Sequence, residues 1–336
     1  MNIVKKTALG IFLIVLPIVV ALVSFACGRY EMSVFQTVQL LFEGLTHSSL
    51  NFDNTEVTVL FNLRVPRVLL AALAGAGLAV SGAAFQSLFT NPLATPDTLG
   101  VASGASFGAV LAIMLGFNLI GIQLLAFLFG LIAVGLAYQV GMFQGKRSII
   151  SIILAGIVIS ALFSALISLL KYLADPQDVL PSITYWLMGS LSRASYPYLA
   201  LGAPVIILGC ACMFFMRWKL NALSLDEDEA TSLGINVKRS RAIIIVAATL
   251  VTASCVSMCG QIGWVGLVVP HISRMIFGSD NRLVIPTSIS FGIIFMIVMD
   301  TLSRSLSAAE LPVSILTALV GAPLFIVLIK KTGGNW

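Results

Sequence analysis

Charge is scarce in this sequence. Only 10% of its 336 residues are Asp, Glu, Lys or Arg, whereas 59% are hydrophobic. A soluble domain carries about 25% charged residues, because its surface must face water. The shortage therefore excludes a water-soluble globular protein and an intrinsically disordered one. The net charge of +5 is spread along the chain rather than clustered, which argues against nucleic-acid binding.

Side chains that bind metals are also few. The two histidines, His47 and His271, are far apart in the sequence and have no second ligand at metal-site spacing. Five cysteines lie in or beside apolar segments, where they are expected to be small packing residues. They are Cys27, Cys210, Cys212, Cys255 and Cys259. We predict no metal site and no disulfide framework.

A nucleotide-binding motif is missing as well. The segment GMFQGKRS at 141–148 comes closest to a phosphate-binding loop, but it is one residue short between its glycines. It also has Arg147 where Ser or Thr would bind magnesium. The segment GAGLAVSG at 75–82 does not fit the dinucleotide pattern. We therefore predict that this chain binds no nucleotide and is not an enzyme.

Long apolar runs are what the sequence has in abundance. A helix needs roughly 20 apolar residues to cross a bilayer, and continuous runs such as IFLIVLPIVVALVSFA predict helices rather than the alternating strands of a barrel. The first run is interpreted as an uncleaved anchor. Ten spans are predicted, at residues 8–27, 65–86, 99–117, 119–139, 149–173, 198–216, 241–259, 263–277, 284–304 and 312–329.

The basic residues indicate the orientation. An even number of spans places both termini on one side, and 13 of the 19 Lys and Arg residues fall in the segments on that side. Because basic residues concentrate in cytoplasmic loops, both termini are predicted to be cytoplasmic.

Three polar connections have a pattern of their own. Residues 31–45 predict a helix on the outer surface, and residues 178–193 contain Tyr185 and Trp186, an aromatic pair typical of the membrane interface. The connection at 217–241 contains the acidic run DEDE at 226–229.

That last connection predicts a short capped helix. Asp226 is placed to cap it, with Glu229 three residues later, and Gly234 is placed to end it. Its apolar residues are Leu225, Ala230 and Leu233. The residues leave two interpretations open, a solvated loop or a surface that docks a partner.

Two other patterns concern helix packing. Asp300 and Arg304 are one turn apart in the ninth span, which favours a local ion pair over a site that faces a partner or a pathway. Gly100, Gly104 and Gly108 recur every four residues, which favours close contact with a neighbouring helix over a ligand site.

Several segments together resemble one family, the FecCD-type permease subunits of ATP-binding-cassette (ABC) importers for iron-siderophores, haem and cobalamin. They run in the family's order over almost the whole chain, although Asp226 stands where Gly is usual. The segments are LRVPRVLLAALAGAGLAVSGAAFQSLFTNPLATPDTLGVASGAS (63–106), ILAGIVISALFSAL (153–166), YWLMGSLS (185–192), LSLDEDEATSLGINV (223–237), GQIGWVGLVVPHISRMIFGSDNR (260–282) and DTLSRSLSAAELPVSILTALVGAPLFIVLI (300–329).

The resemblance implies an all-α polytopic membrane protein with the type II ABC importer permease fold, as one transmembrane domain over 1–336. Residues 217–241 would be its cytoplasmic coupling-helix loop. The implied partners are two ATPase subunits that bind ATP and Mg, a second permease copy or paralogue, an extracytoplasmic substrate-binding protein and the lipid bilayer. This chain itself would bind no cofactor.

The resemblance also assigns roles to residues. Arg64, Arg67 and Arg304 correspond to arginines that dock the binding protein. The residues of the coupling helix that would contact the ATPase are Leu225, Asp226, Glu227, Glu229, Ala230, Leu233 and Gly234. The pathway and its gate would involve Ser148, Ser151, Ser160 and Ser164.

The implied function is ATP-driven import of a ferric siderophore across a bacterial cytoplasmic membrane by alternating access. Haem and cobalamin are alternative substrates within the family. A self-contained secondary transporter or a membrane-embedded enzyme is the alternative of a different class, and the scarcity of buried acids disfavours an ion-coupled transporter.

Overall fold

The computed structural model describes residues 3–28, 30–46, 53–141, 149–307 and 309–332, and every regular element in these ranges is helical. The predictions at His47 and Ser148 lie outside the described residues. The long helices are α1 (Ile3–Ala26), α4 (Val65–Leu88), α6 (Leu119–Gly141), α7 (Ile149–Leu173), α9 (Tyr196–Phe215), α12 (Val237–Cys259), α14 (Asn281–Ser305) and α15 (Val313–Thr332).

Shorter helices connect or flank the long ones. They are α2 (Val34–Thr46), α3 (Thr55–Thr58), α5 (Val101–Met114), α8 (Val179–Leu187), α10 (Arg217–Leu223), α11 (Glu227–Ser232) and α13 (Val265–Phe277). A π-helical turn at Val59–Arg64 joins α3 to α4, and a 3-10 turn at Pro96–Leu99 precedes α5.

All ten predicted spans coincide with helices, but they differ in length. Seven helices in the described ranges are long and apolar enough to cross a membrane, whereas α5, α13 and the apolar part of α15 (Val313–Leu328) are shorter. The 13 residues of α13 rise only about 20 Å, less than the roughly 30 Å of a hydrocarbon core. A helix of this length would cross the hydrocarbon core only together with its adjoining turns.

Helix α4 is the centre of the bundle, with 83% of its most apolar stretch buried. It packs most extensively on α14, and it also contacts α12, α13 and α9. A Cβ added at Gly75 would lie 2.1 Å from the carbonyl oxygen of Gly292, and one added at Gly82 would lie 1.9 Å from that of Gly266. Only glycine permits these close crossings.

The predicted glycine contact in α5 is confirmed, and its partner is α6. Added Cβ atoms at Gly104 and Gly108 would lie 2.5 Å and 2.2 Å from the backbone oxygens of Phe129 and Leu125. Gly100 is needed for its backbone conformation instead. It precedes α5 with a φ of +80°, in the left-handed region that favours glycine.

The polar connections before α3 and α9 also contain helices. α2 (Val34–Thr46) lies where the sequence predicts a helix over residues 31–45, and residues 179–187 form α8. Tyr185 is 69% exposed, as expected of an interfacial residue. Trp186 is only 7% exposed and packs in the main core, because adjacent residues of a helix point in different directions.

Candidate functional site

An ion-pair cluster joins the first turn of α4 to the last turns of α14. Arg67 Nε lies 2.8 Å from Asp300 Oδ1, and Arg67 Nη1 lies 2.8 Å from Glu310 Oε2. The predicted local pair is present, with Arg304 Nε 3.6 Å from Asp300 Oδ2, but the contact between Asp300 and Arg67 is shorter. Asp300 is fully buried, so the two guanidinium groups compensate a carboxylate that water does not reach.

Arg64 and Arg304 hold the end of α1. Arg64 donates hydrogen bonds to the carbonyl oxygens of Phe25 and Tyr30, and to that of Ala26 at 3.2 Å. Arg304 Nη2 donates to Ser24 Oγ at 2.7 Å. The last carbonyl groups of a helix have no partner within it, so these guanidinium groups satisfy them and fasten α1 to the bundle.

All three predicted docking arginines come together around one cavity of about 280 Å³. Arg64, Arg67 and Arg304 are each no more than 9% exposed, and all three line this cavity. With Asp300 and Glu310 they form what we call the outer arginine site, after the side of the membrane that the sequence predicts for it. Three cations and two anions leave it one positive charge, which suits the entry of one further carboxylate.

The opposite end of the molecule carries α11, within the predicted coupling loop. The helix begins after Asp226, as predicted, but the Asp226 side chain makes no capping hydrogen bond. Three acidic residues in the first turn, Glu227, Asp228 and Glu229, stabilise the helix N-terminus by their charge. The predicted capping box is therefore wrong, although the predicted start of the helix is confirmed.

The end of α11 is also where the sequence predicts it. Gly234 has a φ of +78°, and the Ile235 N–H donates to the Ala230 carbonyl oxygen at 3.3 Å. This is the usual glycine-terminated helix end. It turns the chain directly into α12, whose first turn is capped by the Asn236 side chain.

The apolar residues around α11 are divided between the core and the surface. Ala230 is 1% exposed and anchors the helix on the body of the protein. Leu225 and Leu233 are 44% and 62% exposed, and the four acids Asp226, Glu227, Asp228 and Glu229 are exposed as well. The helix therefore presents leucines and carboxylates outward from a fixed base.

Sequence reasoning missed a polar tether at this end of the molecule. Asn221 Nδ2 donates to Asp280 Oδ1 at 2.6 Å, and the Asn281 N–H donates to Asn221 Oδ1 at 2.8 Å. Ser87 Oγ lies 2.7 Å from Asn281 Oδ1. These bonds join α10 to the start of α14 and the end of α4. The only local signal was Asp280, which is a typical residue to precede a helix.

Burial alone would raise the pKa of Asp280. The hydrogen bonds from the Arg282 backbone N–H and from Asn221, together with the charge of Arg282, instead lower that pKa below the ordinary value of 3.8. Asp280 therefore accepts these bonds as a carboxylate at neutral pH.

The predicted pathway serines lie on α7. Ser151 and Ser164 are exposed, whereas Ser160 is half-buried and its Oγ is 3.5 Å from the Asp97 carbonyl oxygen. α7 also exposes apolar residues along its length, among them Leu154, Ile157, Val158, Leu162 and Leu169. Its surface suits contact with lipid, a partner subunit or an apolar pathway.

A second cavity lies beside this face and contains a residue that the sequence did not single out. It measures about 190 Å³ and is lined by the 3-10 turn, α4, α12 and the start of α13. Asp97 is the one charged residue among its lining residues, with Thr95, Thr252 and Trp264 nearby. In the described part of the chain, no three His, Cys, Asp or Glu side chains are placed to hold a metal ion.

Comparison with known proteins extends the resemblance. The chain is 42% identical to the molybdate import system permease protein MolB of Haemophilus influenzae, over 95% of this chain and 94% of that one. It is 36% identical to the hemin transport system permease protein HmuU of Yersinia pestis, over 95% of this chain and 94% of the relative.

A solved structure agrees with this chain in fold. It is an inward-facing ABC transporter assigned to the metal-chelate type, with a TM-score of 0.86 and 39% identity over 97% of this chain and 99% of the other. The model of the FecCD transport family matches residues 15–331. The helical bundle, the ten predicted spans and these matches all indicate the same class of protein. The chain is a multi-pass membrane protein that belongs to the FecCD transport family of ABC importer permeases.

Proposed function

We propose that this chain imports a metal chelate, and that the chelate is a ferric siderophore. The observation that carries this choice is Asp97, the only charged residue that lines the cavity of about 190 Å³. A small oxyanion would meet electrostatic repulsion there, whereas a chelate distributes its charge over a larger molecule. The similarity to a hemin permease also supports iron in chelated form.

Transport would proceed by alternating access, with the energy supplied by ATP and Mg in two separate ATPase subunits. These subunits would engage α11 through Leu225 and Leu233. Movement of α11 would pass to α12 through the turn at Gly234, and to α14 and α4 through the tether at Asn221. The permease itself would supply binding surfaces and motion, with no covalent chemistry.

The outer arginine site would receive a carboxylate of the substrate-binding protein. In this arrangement both termini and α11 face the cytoplasm, and the chain lies in the cell membrane of a bacterium. A second permease copy or paralogue would complete the pathway along α7, where Ser151, Ser160 and Ser164 would line or gate it. This placement is consistent with the exposed face of α7.

Molybdate is the second candidate substrate. It is favoured by the 42% identity with a molybdate permease over nearly the whole chain. The two candidates differ in charge and in size, so one experiment distinguishes them.

The complete complex should be reconstituted in proteoliposomes with its ATPase and its binding protein. We expect ATP-dependent uptake of a radiolabelled ferric siderophore and no uptake of radiolabelled molybdate. Molybdate uptake alone would overturn the choice of substrate. Uptake that follows an ion gradient and ignores ATP would overturn the importer mechanism. Asp97→Asn should raise any residual molybdate uptake, with Asp53→Asn as the matched control outside the cavity.

A further inference from the structure

Two apolar grooves flank α12 near its N-terminal end. The first measures about 320 Å³ and is lined by α4, α6, α7 and α12. The second measures about 560 Å³ and is lined by α6, α9 and α12. Ala242 and Val246 line both grooves, so they form a ridge between the two.

The first groove has basic residues at one end and apolar walls along the rest. Lys238 and Arg241 line it at the start of α12, followed by Ile245 and then Thr249. These positions share one face of the helix, because residues three and four apart are neighbours. Leu131 and Val134 of α6 supply the facing wall.

The position of the grooves along the helix matches the boundary of a bilayer. α12 has 23 residues and is about 34 Å long, so Lys238 and Arg241 in its first five residues lie at headgroup depth. Val140, Leu208 and Ile243 are exposed on the same three helices. The grooves therefore open toward hydrocarbon, and their basic end lies toward phosphate.

We propose that the paired grooves bind one diacyl anionic phospholipid. Its phosphate contacts Lys238 and Arg241, and its two acyl chains lie on either side of the Ala242–Val246 ridge. Basic pockets between transmembrane helices on the cytoplasmic side favour anionic headgroups. The charge of the pocket therefore selects an anionic lipid over a zwitterionic lipid with the same chains.

The site also touches α11. Arg241 Nη1 lies 3.7 Å from Glu227 Oε2, so a bound phosphate competes with Glu227 for the same guanidinium group. Lipid binding then loosens the contact between the start of α12 and α11. This consequence rests on the proposed coupling role of α11, whereas the lipid site itself does not.

Lipid retention by the full chain tests the site without any transport. The delipidated protein in detergent is titrated with phosphatidylglycerol or with phosphatidylcholine of identical chains, and bound lipid is counted by native mass spectrometry. We expect one phosphatidylglycerol per chain, held about 25-fold more tightly than phosphatidylcholine, since each of the two basic residues contributes about fivefold. Equal affinity for the two lipids, or no binding of either, would overturn the proposal.

Matched variants locate the headgroup. Lys238→Gln combined with Arg241→Gln should reduce the affinity for phosphatidylglycerol to that for phosphatidylcholine. Arg239→Gln combined with Arg282→Gln removes the same charge at exposed positions outside the grooves and should leave the preference intact. An equal loss in both double variants would show only general attraction to charge and would contradict the site.

A glycine in the groove locates the chains. A Cβ added at Gly135 meets no atom within 4 Å, so a larger side chain has room to begin there and to extend into the first groove. Gly135→Leu should weaken the retention of both lipids by about 15-fold, because it takes the place of about two methylene groups. Gly10→Leu, at an equally open position on α1, is the control. Unchanged retention in Gly135→Leu would contradict the placement of the chains.

Glu227→Gln should act in the opposite direction. Removing the competing carboxylate frees Arg241, so the affinity for phosphatidylglycerol should rise about threefold, while Glu229→Gln should change it little. A fall in affinity in Glu227→Gln would refute the competition. Because every readout is bound lipid, failure here leaves the importer proposal standing, and failed uptake leaves the lipid site standing.

Discussion

The outer arginine site and α11 hold charge in opposite ways. At the outer site, Arg67 pairs with Asp300 and Glu310, Arg304 pairs with Asp300, and Arg64 donates to backbone carbonyl oxygens. None of these arginines is more than 9% exposed. At α11, four consecutive acids are exposed beside two exposed leucines. The charged side chains of the outer site hold helices together, so a partner must compete for them with the ion pairs already present. The four acids at α11 face outward from a helix anchored by Ala230.

The difference has an energetic meaning. A buried charge that loses its partner destabilises a protein strongly, while an exposed charge contributes little. Changes at the outer site should therefore alter folding and docking together, and changes at α11 should alter partner binding alone. Four changes to the protein test this contrast, and the first has the largest expected effect.

Asp300→Ala should lower the free energy of unfolding by about 3 kcal/mol or more, because it leaves Arg67 and Arg304 buried without a shared counter-charge. Chemical unfolding of the purified chain in mixed micelles measures this. Asp228→Ala removes an exposed acid at α11 and should cost about 0.5 kcal/mol. If the two variants lost similar amounts of unfolding free energy, burial would not explain a difference between the two regions.

Leu225→Asp combined with Leu233→Asp should weaken association with the ATPase by about 30-fold, because exposed apolar anchors contribute most to such contacts. Affinity is read by titrating labelled ATPase onto the permease. Ser224→Asp combined with Ser232→Asp adds the same charge at neighbouring exposed positions and serves as the control. Normal ATP-driven uptake by the leucine variant would remove α11 from the coupling role.

Glu310→Gln should strengthen the docking of an acidic binding protein by about fivefold, because it removes an internal competitor for Arg67. Reversing the charge of Arg64 or Arg304 would be harder to interpret, since these residues also hold the end of α1. Glu31→Gln removes an exposed acid from the connection after α1 and is the matched control. Weaker docking in Glu310→Gln would indicate that the arginines do not receive the partner's carboxylate.

The tether at Asp280 should give the smallest effect, and it should depend on pH. Since the pKa of Asp280 is lowered in the folded protein, its contribution is present above about pH 4 and is lost as the pH falls through that lowered pKa. Wild type should therefore exceed Asp280→Asn in unfolding midpoint at pH 7, and the gap should narrow as the pH falls below about 4. A gap that stays constant or widens as the pH is lowered would contradict a charged tether.

Much of the helical architecture could be predicted from the sequence, because hydropathy is a local property. Each predicted span is a helix, and α11 begins and ends at the predicted residues, since acidic first turns and a terminal glycine act on their immediate neighbours. The glycine spacing in α5 predicted close packing, although α6 as its partner came only from the structure.

The candidate site was less predictable, because its contacts join distant segments. Arg67 and Asp300 are 233 positions apart, and nothing in the local sequence of Arg67 indicates that it is buried against an acid. The tether from Asn221 to Asp280 and the placement of Asp97 in a cavity could not be predicted for the same reason, because they also depend on contacts between distant segments. The same holds for the α11 surface, where Ala230 is buried and the leucines are exposed.

The sequence by itself determined that this protein is a helical membrane protein of the FecCD permease family, since composition, run length and family motifs are all local features of the chain. Only the tertiary structure decided which of its few charges are committed internally and which are free to meet a partner. Burial and pairing depend on helix packing in three dimensions, and in an apolar bundle that packing governs what each charge can do.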